Sequence, residues 1–482
     1  MDLFEGGHAL LPLESYFAGG LPYRDVIPAH GLGADGGSTL IASRLVGNSV
    51  AALVRFEAVL LNLLFWPTIY LLGLAATRSV GWALFTTLIL FFYLPQAGFL
   101  RAVPALLALV CSLYASRRTT RWAWRVAGVM VALATIYALE FGLYSAVAAS
   151  VGLAISNGSK SRNVIAWLSG FLIVVVPVLF IAGQAGLLGS IVDVHMTYLP
   201  KLFPIYAFGL GTVVEKALSG ESQAVIFVIG LLAAAAIVGL GVASWPRIAP
   251  RQAVLLTLAA FFIAASLSVI DRHHFEYALF VVPAAATVML PGAADTSPKG
   301  RILSWSILFG AVVLTAEPVN VVRGSIARLG QQSIPVGWVR LEEPNRAKAT
   351  YVREEDARVV DATRAFLEGN PLGTEETWLD LANAPGLYYL FERRPPVRFQ
   401  GVPFMQPPAA EIEVENVLRR DKRIRAVLVA TGQRAADTID GIENRRRVPR
   451  LWDAVEECFE PGFERSGVVF WLRRTGNCQS NP

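Results

Sequence analysis

Residues 58–77 read AVLLNLLFWPTIYLLGLAAT, a run of twenty residues without a charged side chain. A helix needs about 20 apolar residues to cross the hydrocarbon core of a bilayer, so this run is long enough to span a membrane. Comparable apolar stretches, several of them shorter, lie at 80–94, 99–115, 126–139, 143–156, 164–181, 224–243, 254–270, 275–290 and 302–321. The sequence therefore predicts an α-helical polytopic membrane protein with about ten spans.

The overall composition supports this fold class. Of the 482 residues, 54% are hydrophobic and 16% are charged, whereas soluble domains carry roughly 25% charged residues. Charged residues are sparse from Val46 to Val321 and return at ordinary density from Arg323. We therefore divide the chain into an N-terminal loop at 1–50, a transmembrane bundle at 51–322 and a C-terminal soluble domain at 323–482. The net charge of +5 fits cationic membrane loops and indicates no nucleic-acid partner.

The C-terminal domain has the pattern of a small mixed α/β fold. Helical spacing occurs at 353–367 and 410–420, and strand-like runs occur at 376–381, 424–431 and 468–472. Its sequence contains no glycine-rich phosphate loop, pair of metal ligands or nucleophile elbow. We expect this domain to cover the face that carries the active site or to present an acceptor.

Loop charge predicts which segments share a side of the membrane, because short cytoplasmic loops are enriched in Lys and Arg. The stretch 126–156 is either one long helix or a hairpin that turns at 140–142. With a hairpin, alternate loops carry the cations Arg78, Arg117, Arg118, Arg121, Arg125, Lys160, Arg162, Arg247, Arg251, Lys299 and Arg301. The N-terminal loop, the loop 182–223 and the C-terminal domain then lie together on the outer side, with all five histidines. With a single helix, each later loop would lie on the opposite side of the membrane.

Titratable residues are concentrated in residues 1–36, which read MDLFEGGHALLPLESYFAGGLPYRDVIPAHGLGADG. They are Asp2, Glu5, His8, Glu14, Arg24, Asp25, His30 and Asp35. So many of them in a turn-rich stretch before a series of apolar segments point to chemistry in an aqueous loop. The chain begins at this polar stretch, so we expect a first transmembrane helix upstream, which brings the predicted total to eleven.

The motifs in this loop resemble a known family. Asp2 followed by FEGGH at 4–8, GLPYRD at 20–25 and HG at 30–31 resembles the first extracytoplasmic loop of C-type-fold glycosyltransferases. These include bacterial relatives of protein O-mannosyltransferases and lipid A aminoarabinose transferases. Weaker matches are DRHH at 271–274, in an outer loop, and WLD at 378–380 with NAPGLYYL at 383–390, in the tail. The resemblance implies a multi-span enzyme of the bacterial inner membrane, with its active site and C-terminal domain extracytoplasmic.

The resemblance also implies a reaction and its residues. A sugar moves with inversion from a polyprenyl-phosphate donor to a lipid, glycan or protein acceptor. A carboxylate of the first loop takes the proton of the acceptor hydroxyl, and such a base contributes ~10²–10⁴-fold to the rate. Asp2 is the first candidate for this base and Glu5 the second. Arg24 offers a planar fork to the phosphate. The candidates for substrate binding are His8, Arg24, Asp25, His30, Lys201, Arg272, His273 and His274.

Each assignment has a structural alternative. Asp2 and Glu5 also suit the N-terminus of a helix, where carboxylates favour the dipole, and Arg24 with Asp25 suits a turn closed by an ion pair. A divalent cation on His8 and His30 is a further alternative, although a spacing of 22 residues is no recognised metal signature. The rival function is a transporter or flippase for a lipid-linked saccharide, a class in which internal repeats and polar groups at the bilayer midplane are more common. A scaffold of a cell-envelope complex is a third.

The tail contains two of the three cysteines, Cys458 and Cys478. Disulfides persist in oxidising compartments. If the tail lies outside the cell membrane, these two residues are predicted to pair.

Overall fold

The computed structural model describes residues 2–93, 100–117, 120–156, 158–206, 209–244, 248–267, 276–289, 337–435, 442–475 and 478. Its contacts divide the chain into two compact units. The first, here the mixed unit, comprises Met1–Glu57, Ala182–Tyr206 and Ile334–Pro482. The second, here the helical unit, comprises Ala58–Ile181 and Ala207–Ser333. The mixed unit thus joins three segments that are far apart along the chain.

Fifteen described α-helices precede the C-terminal domain. They are α1 Glu5–Phe17, α2 Ser38–Val46, α3 Val50–Thr77, α4 Val80–Tyr93, α5 Val103–Arg117, α6 Arg121–Tyr137, α7 Leu139–Ile155, α8 Lys160–Gln184, α9 Leu188–Val192, α10 Leu199–Tyr206, α11 Gly209–Leu218, α12 Ser222–Ala243, α13 Pro250–Leu267, α14 Glu276–Leu279 and α15 Val282–Met289.

Five helices of the described residues are long and apolar enough to cross a membrane: Val50–Thr77, Leu100–Arg117, Lys160–Gln184, Ala224–Ala243 and Pro250–Leu267. Shorter apolar helices lie at Val80–Phe91, Leu139–Ile155 and Tyr277–Met289. These helices are compatible with a multi-pass membrane protein. The predicted span at 302–321 lies outside the described residues, and the count of ten stays a prediction.

The stretch 126–156 is a hairpin, and the single-helix alternative is wrong. Ala138 is extended (φ −147°, ψ 111°) and separates α6 from α7. The two helices pack side by side, since a Cβ on Gly142 would lie 2.4 Å from the Cα of Thr135 and one on Gly152 would lie 3.4 Å from the ring of Trp124. In each pair, one residue precedes Ala138 by nearly as many positions as the other follows it. The two helices are therefore antiparallel. The turn, at Ala138, lies two residues before the predicted position.

The C-terminal domain combines helices with two small sheets, as the sequence predicted. Strands β1 Trp338–Leu341 and β2 Thr350–Arg353 form an antiparallel pair. The second sheet has the order β3-β4-β6-β5, with β3 Thr377–Leu381, β4 Ile424–Ala430, β5 Phe459–Arg465 and β6 Val468–Arg473. Only the β3–β4 pair is parallel. The helices are α16 Glu354–Gly369, α17 Gly386–Leu390, α18 Val402–Met405, α19 Pro408–Arg420, α20 Asn444–Arg447 and α21 Pro449–Cys458.

The N-terminal segment is built into the core of this domain. Leu3, Leu10 and Leu11 belong to the same buried cluster as Trp378 and Phe470. Main-chain hydrogen bonds join the two parts as well: Gly386 N donates to Leu3 O at 3.0 Å, and Ile27 N donates to Arg398 O at 2.9 Å. The segment therefore has a structural role that its sequence did not indicate.

The segment between α8 and α11 joins the mixed unit too. Tyr198 Oη donates to the carbonyl of Phe404 at 2.6 Å, and Asp193 Oδ2 lies 3.7 Å from Arg398 Nη2. Residues 182–206 are therefore held to the C-terminal domain by both a hydrogen bond and an ion pair.

Cys458 and Cys478 form the predicted disulfide, with their Cα atoms 5.1 Å apart. Closing a loop of this length stabilises a domain by about 3 kcal/mol in the chain-entropy account. A reducing agent is therefore expected to lower the thermal unfolding midpoint of the purified protein. Cys478→Ala should have that lower midpoint already and should not respond to the reductant. Equal midpoints for the oxidised wild type and Cys478→Ala would contradict the prediction.

Candidate functional site

An aspartate and a histidine are paired at the end of the N-terminal segment. Asp35 Oδ1 lies 3.0 Å from His30 Nδ1, and Asp35 Oδ2 accepts the backbone N–H of His30 at 2.9 Å. The Asp35 side chain is only 3% exposed and that of His30 is 27% exposed. A carboxylate only accepts hydrogen bonds, so Nδ1 of His30 must carry a proton and Nε2 holds the lone pair of the neutral ring.

The turn Gly33–Gly37 directs Asp35 into the interior. Gly36 has φ +91°, a conformation in which side chains are strained. A Cβ at this position would also lie 2.6 Å from the Cβ of Pro12 in α1. Gly36 is therefore the residue that lets the chain fold back on α1 and places Asp35 beside His30.

Three more titratable side chains surround this pair. The ring of His8, on α1, lies 5.8 Å from that of His30 and 5.2 Å from that of Phe404. Tyr16, also on α1, and Tyr23, in the following loop, both interact electrostatically with Asp35. We call His8, Tyr16, Tyr23, His30 and Asp35 the histidine–aspartate cluster.

Burial and charge act against each other in this cluster. Burial works to raise the pKa of Asp35, but His30 and His8 together with the hydrogen bonds from His30 outweigh it, and the pKa lies below its usual value. Burial raises the pKa of Tyr23 to about 12, and the charge of Asp35 acts in the same direction. The same two causes raise the pKa of Tyr16. At neutral pH the cluster thus contains an ionised carboxylate and two protonated phenols.

Arg24 and Asp25 form the ion pair of the turn alternative. Asp25 Oδ2 accepts hydrogen bonds from Arg24 Nε at 3.1 Å, from Arg24 Nη2 at 2.9 Å and from the N–H of Leu21 at 2.7 Å. Burial works to raise the pKa of Asp25, but the Leu21 N–H and the Arg24 guanidinium outweigh it and lower this pKa. The guanidinium that was predicted to hold a phosphate is therefore already engaged by a carboxylate.

The Arg24–Asp25 pair lines a cleft of about 710 Å³ between the N-terminal segment and the C-terminal domain. The walls contain more carboxylates than guanidinium groups: Glu14, Asp25, Glu375, Glu376, Glu392, Glu413 and Asp421 against Arg24, Arg394, Arg398 and Arg423. Most of these charges are held by one another. Arg398 binds both oxygens of Glu413 at 2.9 and 2.8 Å, and Arg423 Nη2 donates to Asp421 at 2.7 Å. The cleft thus presents hydrogen-bond donors and acceptors that are held in place by ion pairs.

Asp2, the first candidate for the base, lies just before α1. Its Oδ1 accepts the N–H of Phe4 at 2.8 Å, and its Oδ2 lies 2.5 Å from Nη2 of Arg353. These contacts are those of the helix-terminus alternative, and the catalytic role of Asp2 stays a prediction. Glu5 is the first residue of α1, and its side chain lies outside the described part of the structure.

Of the remaining predicted site residues, the structure describes only Lys201. Lys201 lies exposed on α10. His195, which was not predicted, has its ring 5.4 Å from that of Tyr23. Arg272, His273 and His274 lie outside the described residues.

Of the predicted site residues, the structure brings His8 and His30 together, and it pairs Arg24 with Asp25. The sequence analysis included Asp35 among the titratable residues of the loop but assigned no individual role to Asp35, Tyr16 or Tyr23. The glycines at 31, 33, 36 and 37 were the available signal, because such a run allows a tight turn that returns Asp35 to His30. Within the described ranges, no three His, Cys, Asp or Glu side chains are grouped so as to hold a metal ion.

Comparison with protein-family models finds no match to the chain. Comparison with curated proteins finds no significant match either. The likeness to C-type-fold glycosyltransferases therefore rests on the motifs of the N-terminal segment and stays a prediction.

Proposed function

We propose that the chain is an inverting membrane glycosyltransferase that moves a sugar from a polyprenyl-phosphate donor to a cell-envelope acceptor. The observation that carries this proposal is the polar cleft between the N-terminal segment and the C-terminal domain. Its volume of about 710 Å³ falls in the range of ligand sites. Most small-molecule sites are mainly apolar, so walls of paired arginines and carboxylates favour a ligand rich in hydroxyl groups.

The charge of the cleft also indicates which substrate binds there. Three of the four guanidinium groups in its walls are already paired with carboxylates, namely Arg24, Arg398 and Arg423, so an additional anion meets little uncompensated positive charge there. A neutral or aminated saccharide of the acceptor fits this cleft better than the phosphate of the donor. We infer that Arg24 and Asp25 bind hydroxyl groups of a glycan or glycolipid acceptor.

One observation supports a single side of the membrane for the mixed unit, and a second supports the extracytoplasmic side. Six helices, α3 to α8, lie between α2 and α9, both of which belong to that unit. If each crosses the bilayer, the even number returns the chain to its original side. The disulfide between Cys458 and Cys478 suits an oxidising compartment. The proposed location is the bacterial plasma membrane, with the mixed unit outside.

Reporter fusions test this arrangement. Alkaline phosphatase is active outside the membrane and green fluorescent protein inside, so each fusion point reports its side. Fusions that end at Gly401 and at Gly220 should show phosphatase activity, whereas a fusion at Gly158, between α7 and α8, should fluoresce. The same compartment for Gly158 and Gly401 would contradict the proposed topology.

The function itself is tested with the purified protein in proteoliposomes. Polyprenyl-phosphate hexose and pentose donors are supplied with neutral, amino-sugar and uronic-acid glycan acceptors, and the release of free polyprenyl phosphate is measured. Acceptor-dependent release is expected, with neutral and amino-sugar glycans preferred. Movement of the intact donor between leaflets without release would instead indicate a flippase. Neither release nor movement with any donor would contradict both functions.

Variants of the cleft sharpen this test. Hydrogen bonds to charged groups contribute about 1.5–3 kcal/mol, so Asp25→Asn is expected to raise the KM for the acceptor about tenfold or more. The KM for the donor should change little. Arg358→Gln is the matched control, because Arg358 pairs with Glu354 on the surface of α16, away from the cleft. An effect of Asp25→Asn on the donor alone would show that the cleft holds the donor.

A further inference from the structure

We propose that the segment 188–202, here the interface segment, lies in the surface of the bilayer and inserts a line of apolar side chains at the boundary between headgroups and acyl chains. In this segment α9, a π-turn at Asp193–Tyr198 and α10 follow one another without a break. The residues at both junctions, Val192 and Leu199, have α-helical φ and ψ. The inference goes beyond the proposed function, because it is independent of the reaction that the protein performs.

One side of the interface segment packs within the mixed unit. Val194, Tyr198, Leu199 and Leu202 are buried, and the Tyr198 hydroxyl donates to the carbonyl of Phe404 at 2.6 Å. These contacts fix the orientation of the segment about its own axis. The residues on its other side are therefore held outwards.

The outward side carries a line of apolar side chains. Leu188, Val192 and Met196 follow one another at intervals of four residues and are 44%, 58% and 73% exposed. Residues four apart lie one above the other on an α-helix with a small drift. The π-turn has more residues per turn than an α-helix, so it reverses this drift and keeps Met196 in line with Leu188. The three side chains thus form one continuous apolar line.

The neighbouring line of the segment is also exposed but polar or small. It consists of Gly189, Asp193, Thr197 and Lys201. The Asp193 carboxylate lies 3.7 Å from a guanidinium nitrogen of Arg398, so its charge is balanced. Lys201 has a long apolar stem and a cationic end, which suit the phosphates of lipid headgroups. An apolar line beside a polar one is typical of a helix that lies in a membrane interface.

The position of the segment in the chain identifies lipid as its partner. Gln184 is the last residue of α8, which is long and apolar enough to cross a membrane. Four residues reach at most about 14 Å, so Leu188 lies no farther than that from the end of α8. The headgroup region is about 5–8 Å deep on each side of the hydrocarbon. If α8 crosses the bilayer, the apolar line starts within reach of the boundary between headgroups and acyl chains.

The most exposed apolar side chains of the mixed unit are found beside candidate spans. In the described part of the C-terminal domain, no large apolar side chain is more than 43% exposed. A second apolar face lies on α2, where Ile41 and Leu45 are 64% and 67% exposed, and α2 ends four residues before α3. Apolar surface of this kind marks contacts with proteins or membranes. Its location next to the spans favours the membrane.

Nitroxide labels on single cysteines test the inference with the purified chain in vesicles of phosphatidylcholine and phosphatidylglycerol. Cys111→Ser removes the free thiol, and the disulfide between Cys458 and Cys478 is kept by omitting reductants. Each label is introduced separately, at Val192 or at Met196. Electron paramagnetic resonance then measures the access of oxygen, which is concentrated among acyl chains, and of a polar nickel chelate, which is excluded from them.

Labels on Val192→Cys and Met196→Cys are expected to favour oxygen over nickel, at a depth of about 5–10 Å in the boundary between headgroups and acyl chains. Thr197→Cys is the control on the same helix, and its label should favour nickel. Ile412→Cys, on α19, is the control for apolar exposure alone, because Ile412 is 39% exposed and lies far along the chain from any candidate span. Its label should favour nickel as well.

Three outcomes would overturn the inference. Labels at Val192 and Met196 that favour nickel as strongly as the label at Ile412 would place this line in water. Exclusion of both oxygen and nickel, with spectral broadening that disappears on dilution with unlabelled protein, would assign the line to a second copy of the chain. Oxygen access that appears only after polyprenyl phosphate is added would assign it to the lipid chain of the donor. All three are measured without sugar transfer, so failure of the proposed function is distinguishable from failure of this inference.

Discussion

Replacing Arg346 by alanine is expected to lower the free energy of unfolding of the mixed unit by about 3–5 kcal/mol, because it leaves a buried carboxylate without its partner. Arg346 Nη1 pairs with Oε1 of Glu14 in α1 and donates to the carbonyl of Tyr389 at 3.0 Å. Its guanidinium also lies 4.5 Å from the centre of the Tyr389 ring. The side chains of Arg346 and Glu14 are 14% and 10% exposed. One guanidinium thus ties the N-terminal segment to the C-terminal domain.

The pH dependence of this loss has a definite sign. Burial raises the pKa of Glu14 above its usual value although Arg346 opposes that shift. A raised pKa in the folded state means that stability is present below the unfolded pKa and is lost as the pH rises through the folded pKa. Without Arg346 the pKa rises further. The deficit of Arg346→Ala should therefore be largest at neutral pH and should shrink as Glu14 becomes protonated in acid.

Thermal and urea unfolding of the purified protein, followed by tryptophan fluorescence, measure this effect. The matched control is the double variant Glu14→Gln with Arg346→Met, which removes both charges and keeps the apolar volume. Buried ion pairs are often replaced by uncharged groups at little cost, so the double variant should recover much of the stability. If Arg346→Ala were as stable as the wild type, Arg346 would not stabilise the contact between the N-terminal segment and the C-terminal domain.

Phe366→Ala is expected to cost about 3–5 kcal/mol, the usual range for removing a fully buried phenylalanine ring. The rings of Phe366, on α16, and Phe470, on β6, are stacked 3.9 Å apart at an angle of 3°. Both side chains have no exposed surface. The cluster that they occupy also contains Leu3, Leu10 and Leu11 of the N-terminal segment. Loss of this ring should therefore loosen the segment that carries His30 and Asp35.

The measurement compares the unfolding midpoint with the temperature at which the proposed sugar transfer stops. Both should fall together in Phe366→Ala, because the N-terminal segment and the C-terminal domain share one core. Phe366→Leu keeps most of the apolar volume, and both temperatures should then fall by a smaller amount. Transfer that persists well above the unfolding midpoint of the C-terminal domain would show that the two parts are independent.

The apolar helices were predictable from the sequence because length and hydropathy are local properties. A run such as 58–77 has enough apolar residues to span a membrane in any tertiary context, and it lies within α3 as predicted. The hydrophobic patterns of the sequence equally predicted the helix α16 and the buried strands β3, β4 and β6. Strands β1, β2 and β5 were not predicted. Strand β5 is mostly exposed and includes Pro461 and Gly462, so it lacks the alternation that marks a strand.

The choice between one helix and a hairpin at 126–156 needed tertiary contacts. The charges of the loops favoured a hairpin, but both alternatives satisfy the local pattern. The close approach of Gly142 to Thr135, where no Cβ fits, distinguishes them. Interhelical packing of this kind depends on contacts with the partner helix. The hydrophobic periodicity of one segment does not describe those contacts.

By itself the sequence determined the apolar helices, which are compatible with a multi-pass membrane protein, together with the mixed tail, the disulfide and the loop rich in titratable residues. Only the tertiary structure decided which of those residues act together. Asp35 became the partner of His30 because Gly36 adopts a positive φ against Pro12. Arg24 became the partner of Asp25 and part of a cleft because the N-terminal segment packs on a domain more than 300 residues later. Composition and periodicity are local, whereas the pairing of charges depends on burial and distance, and these are known only once the chain has folded.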